Sequence, residues 1–458
     1  MMASDFIKNK HLANRAGFGI SLSQVKRFER QSLEDTWKEY SKESGFSPIS
    51  FDSPPVDFDY NTLSELNANQ KKQVQQRNRE QNMEINLNFL MAMVSSEDQL
   101  REKMAFFWHG HFATRVINSK FSQQILNEIR KNALGNFKDL LFAVSKSPAM
   151  LNFLNARQNK KGYPNENFAR EVMELFTMGR DHYTEEDVRE AARAFTGWSY
   201  DKEGRFIERK NLHDTGTKTF LGKTGNFDGD DILDIILEQQ ATAEFITSKI
   251  YRFLVNEEIN ENHVRELSEK FYQSDYDIGR LLDKIFTSGW FYDAENIGSK
   301  IKSPVELMVG IMRMLPMKID KPENLIIYQK LLGQMLLYPP NVAGWPSGKA
   351  WIDSSTLLLR MQIPQIWSGL RPLDVAPNED DDVDMGLREK QNLAKGFKNP
   401  DISIDWPGVE TTLSGKNIYE ILLQRYQSIN ESTLKKFSDG SIRMTIIDVM
   451  STPEYQLC

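Results

Sequence analysis

Hydrophobic residues recur at helical spacing along most of this chain. Leu100, Met104 and Phe107 follow an i, i+4, i+7 pattern, which places them on one face of a helix. Pro164 and Gly179 bound another apolar-rich segment, in the order typical of the first turn and the end of a helix. The pattern therefore predicts a mostly α-helical, multi-helix globular body.

The stretch around residues 200–230 has a different pattern. Residues 205–208 and 218–222 are rich in strand formers, and glycines recur between and after them. Such short segments separated by turn residues are typical of β-hairpins. We therefore expect a small β-hairpin insertion at residues 200–230.

Prolines and charged runs indicate how the chain is divided. Prolines between residues 48 and 55 predict an extended connector, and the acidic run at residues 378–384 predicts a solvated linker. We expect five segments: an N-terminal helical segment with its Pro-rich connector (1–60), a helical core (61–200), the β-hairpin insertion (201–230), a second helical part (231–372), and the acidic linker with C-terminal helices (373–458).

Composition narrows the class of protein. Hydrophobic residues make up 40% and charged residues 26%, with a mean hydropathy of −0.52, as in soluble globular proteins. No apolar run approaches the roughly 20 residues that a membrane-spanning helix needs. The net charge of −7 argues against nucleic acid as a partner. A single cysteine, Cys458, excludes an intramolecular disulfide and a cysteine-based zinc site.

The first residues carry no visible targeting signal. Residues 1–8 contain neither an apolar segment nor twin arginines. A cytoplasmic location is therefore our expectation. A periplasmic or exported protein whose signal has been removed is the alternative.

The element Phe107-Trp108-His109-Gly110-His111 is the most informative in the chain. It places two of the six histidines one residue apart among aromatic residues. Imidazole ligates transition metals and also titrates near neutral pH. In an extended backbone the two rings would share a face, whereas in a helix they would lie about 200° apart. We expect metal or acid–base chemistry here, and ordinary packing is the alternative.

Glu171 and Glu174 are spaced i, i+3 and so share a helix face. Two carboxylates on one helix and histidines from another can hold a divalent metal in a helical protein. We therefore predict His109, His111, Glu171 and Glu174 as metal ligands. Surface ion pairing is the alternative, since Arg170 is spaced i, i+4 from both Glu166 and Glu174.

Two further elements carry residues suited to an anionic group. His213 and Asp214 open a glycine- and threonine-rich stretch with Lys218, where backbone amides and an ammonium group can hold an oxyanion. Arg15 precedes a glycine turn and can bind a phosphate, sulfate or carboxylate through two hydrogen bonds. A plain hairpin and a structural salt bridge are the alternatives. 

Trp345 and Trp351 lie on a loop in which prolines exclude helix. Their aromatic faces are of the kind that stack on sugars or form the wall of a pocket. A packed loop without a ligand is the alternative.

Several long motifs resemble the bacterial family catalogued as DUF1800. They occur in the family's order, and the similarity runs from about His11 to the carboxyl end; they are residues 107–112, 165–179, 183–188, 191–198, 213–222 and 344–351. The resemblance implies kinship but no particular activity. It also implies a phosphatase- or sulfatase-like partner protein, and export for many members, from which the visible amino terminus of this chain departs.

Together these features predict a metal-assisted or acid–base enzyme that performs hydrolysis or group transfer on a polar, anionic or glycan-derived small substrate. The expected catalytic residues are His109, His111, Glu171, Glu174 and His213. The expected substrate-binding residues are Arg15, Arg170, Asp214, Lys218, Trp345 and Trp351. One alternative is a non-catalytic helical scaffold that works with the partner protein, and another is a non-haem iron redox enzyme.

Overall fold

The computed structural model describes residues 5–42, 45–51, 66–373, 401–425 and 439–458. Within these ranges the chain is mostly helical, which confirms the predicted fold class. The acidic run at residues 378–384 and part of the Pro-rich connector lie outside the described residues. No helix of the described ranges has both the length and the apolar character needed to cross a bilayer.

The α-helices of the described ranges are numbered in chain order. They are α1 (Asp5–Arg15), α2 (Val25–Phe28), α3 (Leu33–Ser41), α4 (Ala68–Ser95), α5 (Gln99–His111), α6 (Ser119–Asn132), α7 (Phe137–Ser145), α8 (Pro148–Phe153), α9 (Asn167–Glu171), α10 (Glu185–Ala194), α11 (Gly229–Leu237), α12 (Gln240–Leu254), α13 (Glu261–Gln273), α14 (Ile278–Thr287), α15 (Pro304–Met314), α16 (Asn324–Leu331), α17 (Ser354–Trp367), α18 (Trp406–Leu413), α19 (Ile418–Leu422) and α20 (Ile442–Met450).

Three small antiparallel sheets, each of two strands, complete the described fold. They pair β1 (Trp198–Tyr200) with β2 (Phe206–Glu208), β3 (Lys218–Phe220) with β4 (Lys223–Gly225), and β5 (Met317–Ile319) with β6 (Ile402–Ile404). The first two are hairpins and confirm the predicted insertion, although β1 begins slightly earlier. The third sheet was not predicted, because its strands are far apart in the sequence.

Polar residues just before the helices determine where many of them begin. Asp98 accepts a hydrogen bond from the Arg101 amide at the start of α5. At α15, the Ser303 hydroxyl accepts from the Glu306 amide while the Glu306 carboxylate accepts from the Ser303 amide. These interactions satisfy backbone donors that lack a partner inside the helix.

Helix α5 lies in the middle of the hydrophobic core. Every residue of α5 except Gly110 is buried, including its charged residues. Those charges are compensated by ion pairs, since Arg101 contacts Asp98 and Glu102 contacts Arg130. A helix enclosed in this way can hold its last turn, with both histidines, in a fixed position.

The motif after Pro164 does not continue as one regular α-helix. Helix α9 is followed by a π-helix over Val172–Thr177, and Gly179 then ends the segment with a φ of 77°. A π-helix is a rare structure that occurs frequently at functional sites. The sequence predicted a helix that ends at Gly179, and the structure differs from this prediction in its π-helical turn.

We predict that the buried ion pair of α5 is needed for stability. Arg130 donates to both carboxylate oxygens of Glu102, at 2.9 and 2.6 Å. Arg130→Ala leaves that carboxylate buried without its partner, so we expect a loss of about 3–5 kcal/mol in the free energy of unfolding, measured in urea. The control Arg189→Ala removes an exposed ion pair with Glu186 and should change little. Equal losses in the two variants would contradict this assignment.

Candidate functional site

A cavity of about 520 Å³ opens at the carboxyl end of α5. Four parts of the chain form most of its wall: the last turns of α5, residues 249–257 at the end of α12, residues 300–306 leading into α15, and the loop 343–351. This volume lies within the range of about 300–1,000 Å³ that is usual for small-molecule sites.

The two histidines of α5 face different partners, because the helix continues through His111. The Nε2 atom of His109 accepts a hydrogen bond from the amide of Leu337 at 3.1 Å. Leu337 has a φ of 68°, a left-handed conformation that few non-glycine residues adopt. Burial lowers the pKa of His109 to about 4. His109 is therefore a neutral acceptor that holds the backbone at Leu337.

His111 lies in the wall of the cavity. Its Nε2 atom is 3.1 Å from the carbonyl oxygen of Phe176, and its Nδ1 atom is 3.2 Å from the Nζ atom of Lys249. A carbonyl can only accept, so Nε2 carries the proton and Nδ1 accepts from Lys249. Burial, and then the positive charge of Lys249, hold the pKa of His111 well below its usual value. Its contacts thus fix one neutral tautomer.

Lys249 links His111 to the π-helix. Besides His111, its ammonium group donates to the carbonyl oxygen of Leu175 at 3.0 Å. Leu175 and Phe176 belong to the π-helix, whose last carbonyls therefore bind side chains from α5 and α12. Burial, and then the nearby Arg252, lower the pKa of Lys249 to about 8. A fraction of this amine is therefore uncharged near neutral pH.

The loop with the two tryptophans docks on the end of α5 through a contact between glycines. Gly344 has a φ of 86°, and a Cβ atom there would lie 2.5 Å from the carbonyl oxygen of Gly110. This close approach places Trp345 and Trp351 in the cavity wall. The Trp345 ring also packs against His109, with 5.3 Å between ring centroids. The structure thus gathers His111 and both tryptophans of the predicted set.

Charged groups that the sequence analysis did not single out complete the wall. Lys300, Glu306 and Glu257 all line the cavity. The Glu257 carboxylate reaches the loop at Gly348, where a Cβ atom would lie 2.2 Å from one of its oxygens. The other oxygen, Oε1, is buried and has no hydrogen-bond partner among the described residues.

The predicted carboxylate ligands lie elsewhere. Glu174 accepts hydrogen bonds from Arg180 at 2.6 Å and from Tyr183 at 3.3 Å, and Glu171 has its pKa raised by burial and by Glu174. In the part of the chain that the structure describes, no three His, Cys, Asp or Glu side chains come together as a metal site. The expected convergence of these carboxylates with His109 and His111 is therefore not seen.

The hairpin residues make contacts within their own region. Asp214 pairs with Arg193 at 3.0 Å, which lowers the pKa of Asp214 to about 2. Lys218 donates to the carbonyl oxygens of Asp214 and Gly216. His213 contacts the carbonyl oxygen of Thr196 at 2.9 Å. These contacts are those of the plain hairpin considered as the alternative, and a role in binding an anion stays a prediction.

The two predicted arginines have different surroundings. Arg170 is partly exposed and pairs with Glu166 and Glu185. Arg15 is buried and donates to the carbonyl oxygen of Asn296 at 2.9 Å and to the Ser299 hydroxyl at 3.2 Å. Neither arginine is among the residues that line the cavity.

Comparison with known proteins gives a family without an assigned activity. The family described as "Protein of unknown function (DUF1800)" matches residues 11–457. No curated protein and no solved structure matches the chain. The residues of the cavity therefore carry the evidence for a function.

We predict that Gly344 is needed to dock the tryptophan loop. Gly344→Ala brings a methyl group against the Gly110 carbonyl, whereas Gly333→Ala has the same left-handed backbone, with a φ of 81°, and nothing within 4 Å. Both variants should lose roughly 1–2 kcal/mol from backbone strain. Gly344→Ala should lose more and shift the tryptophan emission, both measured during unfolding in urea. Equal stability losses and equal emission in the two variants would show that the contact between Gly344 and Gly110 does not dock the loop.

We predict that His109 makes the protein sensitive to acid. Its pKa is about 4 in the folded state and near 6.5 when unfolded, so the unfolded chain binds the proton first as pH falls. The stabilisation is complete at a pH above the pKa of the unfolded state. It is lost as the pH falls towards the pKa of the folded state, by up to about 3 kcal/mol in the free energy of unfolding. In urea unfolding at several pH values, His109→Gln should flatten this dependence, while the exposed control His182→Gln should not. An unchanged pH dependence in His109→Gln would count against this account.

Proposed function

The chain belongs to the DUF1800 family, and we propose that it is an enzyme that moves a proton on a small polar ligand bound at the end of α5. The reaction class is hydrolysis or group transfer. The observation that carries this proposal is the hydrogen bond between Lys249 and His111 in the wall of a ligand-sized cavity.

Lys249 is suited to act as the general base. A base works best when its pKa lies near the working pH, and burial lowers that of Lys249 to about 8. The Leu175 carbonyl and the His111 ring fix the position of its nitrogen. In the proposed step, the uncharged amine of Lys249 takes a proton from water or from an acceptor hydroxyl, and that oxygen attacks the electrophilic centre of the ligand. The bond from this centre to the leaving alcohol breaks, and the leaving oxygen takes the proton back from the Lys249 ammonium.

The rest of the wall favours a hydroxylated ring as the ligand. Trp345 and Trp351 offer aromatic surface, on which the apolar face of a sugar ring can pack. The Glu257 carboxylate also lines the cavity and can accept a hydrogen bond from a ring hydroxyl. We therefore propose a glycan-derived ligand of about the size of one sugar unit.

The acid–base form of the reaction fits the described residues better than the metal-assisted form. A non-haem iron site needs two histidines and a carboxylate on one face of the ion, and other divalent ions need a comparable set. Such a set is not assembled within the described ranges. No step of the proposal therefore depends on a metal.

The test is the activity of Lys249→Arg, which keeps the positive charge but cannot act as a base. Activity would be measured by nitrophenolate release from para-nitrophenyl esters, phosphates, sulfates and glycosides. We expect a loss of roughly 100-fold or more, together with a wild-type rate that rises as Lys249 loses its proton towards higher pH. The control Lys284→Arg changes a lysine of α14 outside the cavity and should keep full activity.

Melting temperatures of both variants would confirm that they fold. An active wild type whose rate is unchanged in folded Lys249→Arg would contradict the role of Lys249. If the wild type hydrolyses no substrate and no sugar changes the tryptophan emission, the non-catalytic scaffold becomes the better proposal.

A further inference from the structure

A cluster of buried cations lies behind the wall of this cavity. Its members each interact electrostatically with Glu306, and none is more than 7% exposed. The cluster consists of Lys103, Lys300, Lys302, Arg15 and Arg360. Such a concentration of buried positive charge is costly unless negative groups compensate it.

The negative groups facing the cluster are too few to neutralise it. They are Glu306, Glu257 and a negative charge at Cys458. Glu306 pairs directly with Lys103, and its pKa is lowered to about 2 despite its burial. In the described part of the chain, five cations thus face three anionic groups.

Uncharged oxygens satisfy some donors of the cluster without neutralising it. Lys300 donates to the carbonyl oxygen of Phe253, and Lys302 to that of Tyr455. A carbonyl accepts the hydrogen bond but leaves the charge uncompensated. Burial accordingly lowers the pKa values of both lysines to about 8, partly offset by nearby negative charge.

Some donors of the cluster lack any acceptor in the described structure. They are the Nε and Nη1 atoms of Arg15 and the Nη1 atom of Arg360, all buried. A buried guanidinium that leaves donors unused is unfavourable, because those donors have lost their hydrogen bonds to water. The cluster therefore has both excess charge and excess donors, and a bound anion would compensate the charge.

Lys300 connects the cluster to the cavity. Its side chain lines the wall beside Ser303 and Glu306, at the start of α15. The backbone donors there already have acceptors, since Val305 donates to Gln334 and Glu306 donates to Ser303. The helix terminus therefore adds its dipole but no unused amide at these positions, and the contact with an anion falls to Lys300.

We propose that Lys300 and the cations behind it form a subsite for an oxyanion group on the ligand. The group is a phosphate, a sulfate or a carboxylate, because each offers charge and several acceptor atoms to one ammonium group. This inference rests on the proposed use of the cavity. It narrows the ligand class to acidic sugars: sugar phosphates, sugar sulfates or uronic acids.

The test is calorimetric titration of the full chain with inorganic phosphate, inorganic sulfate and glucuronate, at constant ionic strength in chloride. We expect saturable binding, and the tightest of the three identifies the oxyanion. Lys300→Gln should weaken it roughly tenfold or more, whereas Lys300→Arg should retain it. The control Lys284→Gln, outside the cavity, should bind as the wild type does.

Absence of saturable binding for all three anions, or unchanged affinity in folded Lys300→Gln, would overturn the subsite. If Lys300→Gln does not fold, hydrogen exchange of the wild type decides. Protection of residues 301–306 by phosphate beyond that given by chloride supports the subsite, and equal protection overturns it.

The same experiments separate the subsite from the proposed function. Anion binding that depends on Lys300, in a protein whose activity does not depend on Lys249, would leave the subsite and remove the proton-transfer step. Activity that depends on Lys249, without anion binding, would leave the proton-transfer step and remove the subsite.

Discussion

The ion pair between Lys103 and Glu306 joins the helix that carries the two histidines to the helix that begins at the cavity. Both side chains are almost fully buried, so removal of Glu306 would leave the buried charge of Lys103 without its ion-pair partner. Lys103 also donates to the carbonyl oxygen of Asn14 and lies over the ring of Phe253. One buried interaction therefore fixes α1, α5, α12 and α15 around the same point, and the surrounding cations make that point strongly positive.

The position of α5 gives its two histidines different roles. Because the helix stays regular, His109 points towards Leu337 and His111 towards the cavity and Lys249. The first holds the backbone before the tryptophan loop, and the second helps to hold a lysine against the π-helix. One helix, buried along almost its whole length, thus holds both the structural His109 and the cavity-lining His111.

The local sequence pattern was enough to predict the fold class, but it predicted only a few residues of the site. Apolar spacing predicted the helices and turn glycines predicted the hairpins, since both signals are local. The π-helix was missed because its apolar spacing resembles that of an α-helix. Glu171 and Glu174 were predicted as ligands because their spacing places them on one face of a helix. Spacing alone does not tell whether that face points inward. The sequence did not indicate Lys249 and Lys300, because the burial of a lysine depends on the whole fold. Near Lys300, the spacing of Ser303 and Glu306 is a local signal, since it is typical of the start of a helix.

Recognition of an oxyanion by Lys300 in the cavity can be observed in a crystal. The most direct measurement is anomalous diffraction from crystals soaked in selenate, whose selenium marks the oxyanion. We expect an anomalous peak inside the cavity, with selenate oxygens about 3 Å from the Nζ atom of Lys300, and we expect this peak to be lost in Lys300→Gln. Selenate bound only at exposed lattice contacts, with water in the cavity, would contradict it.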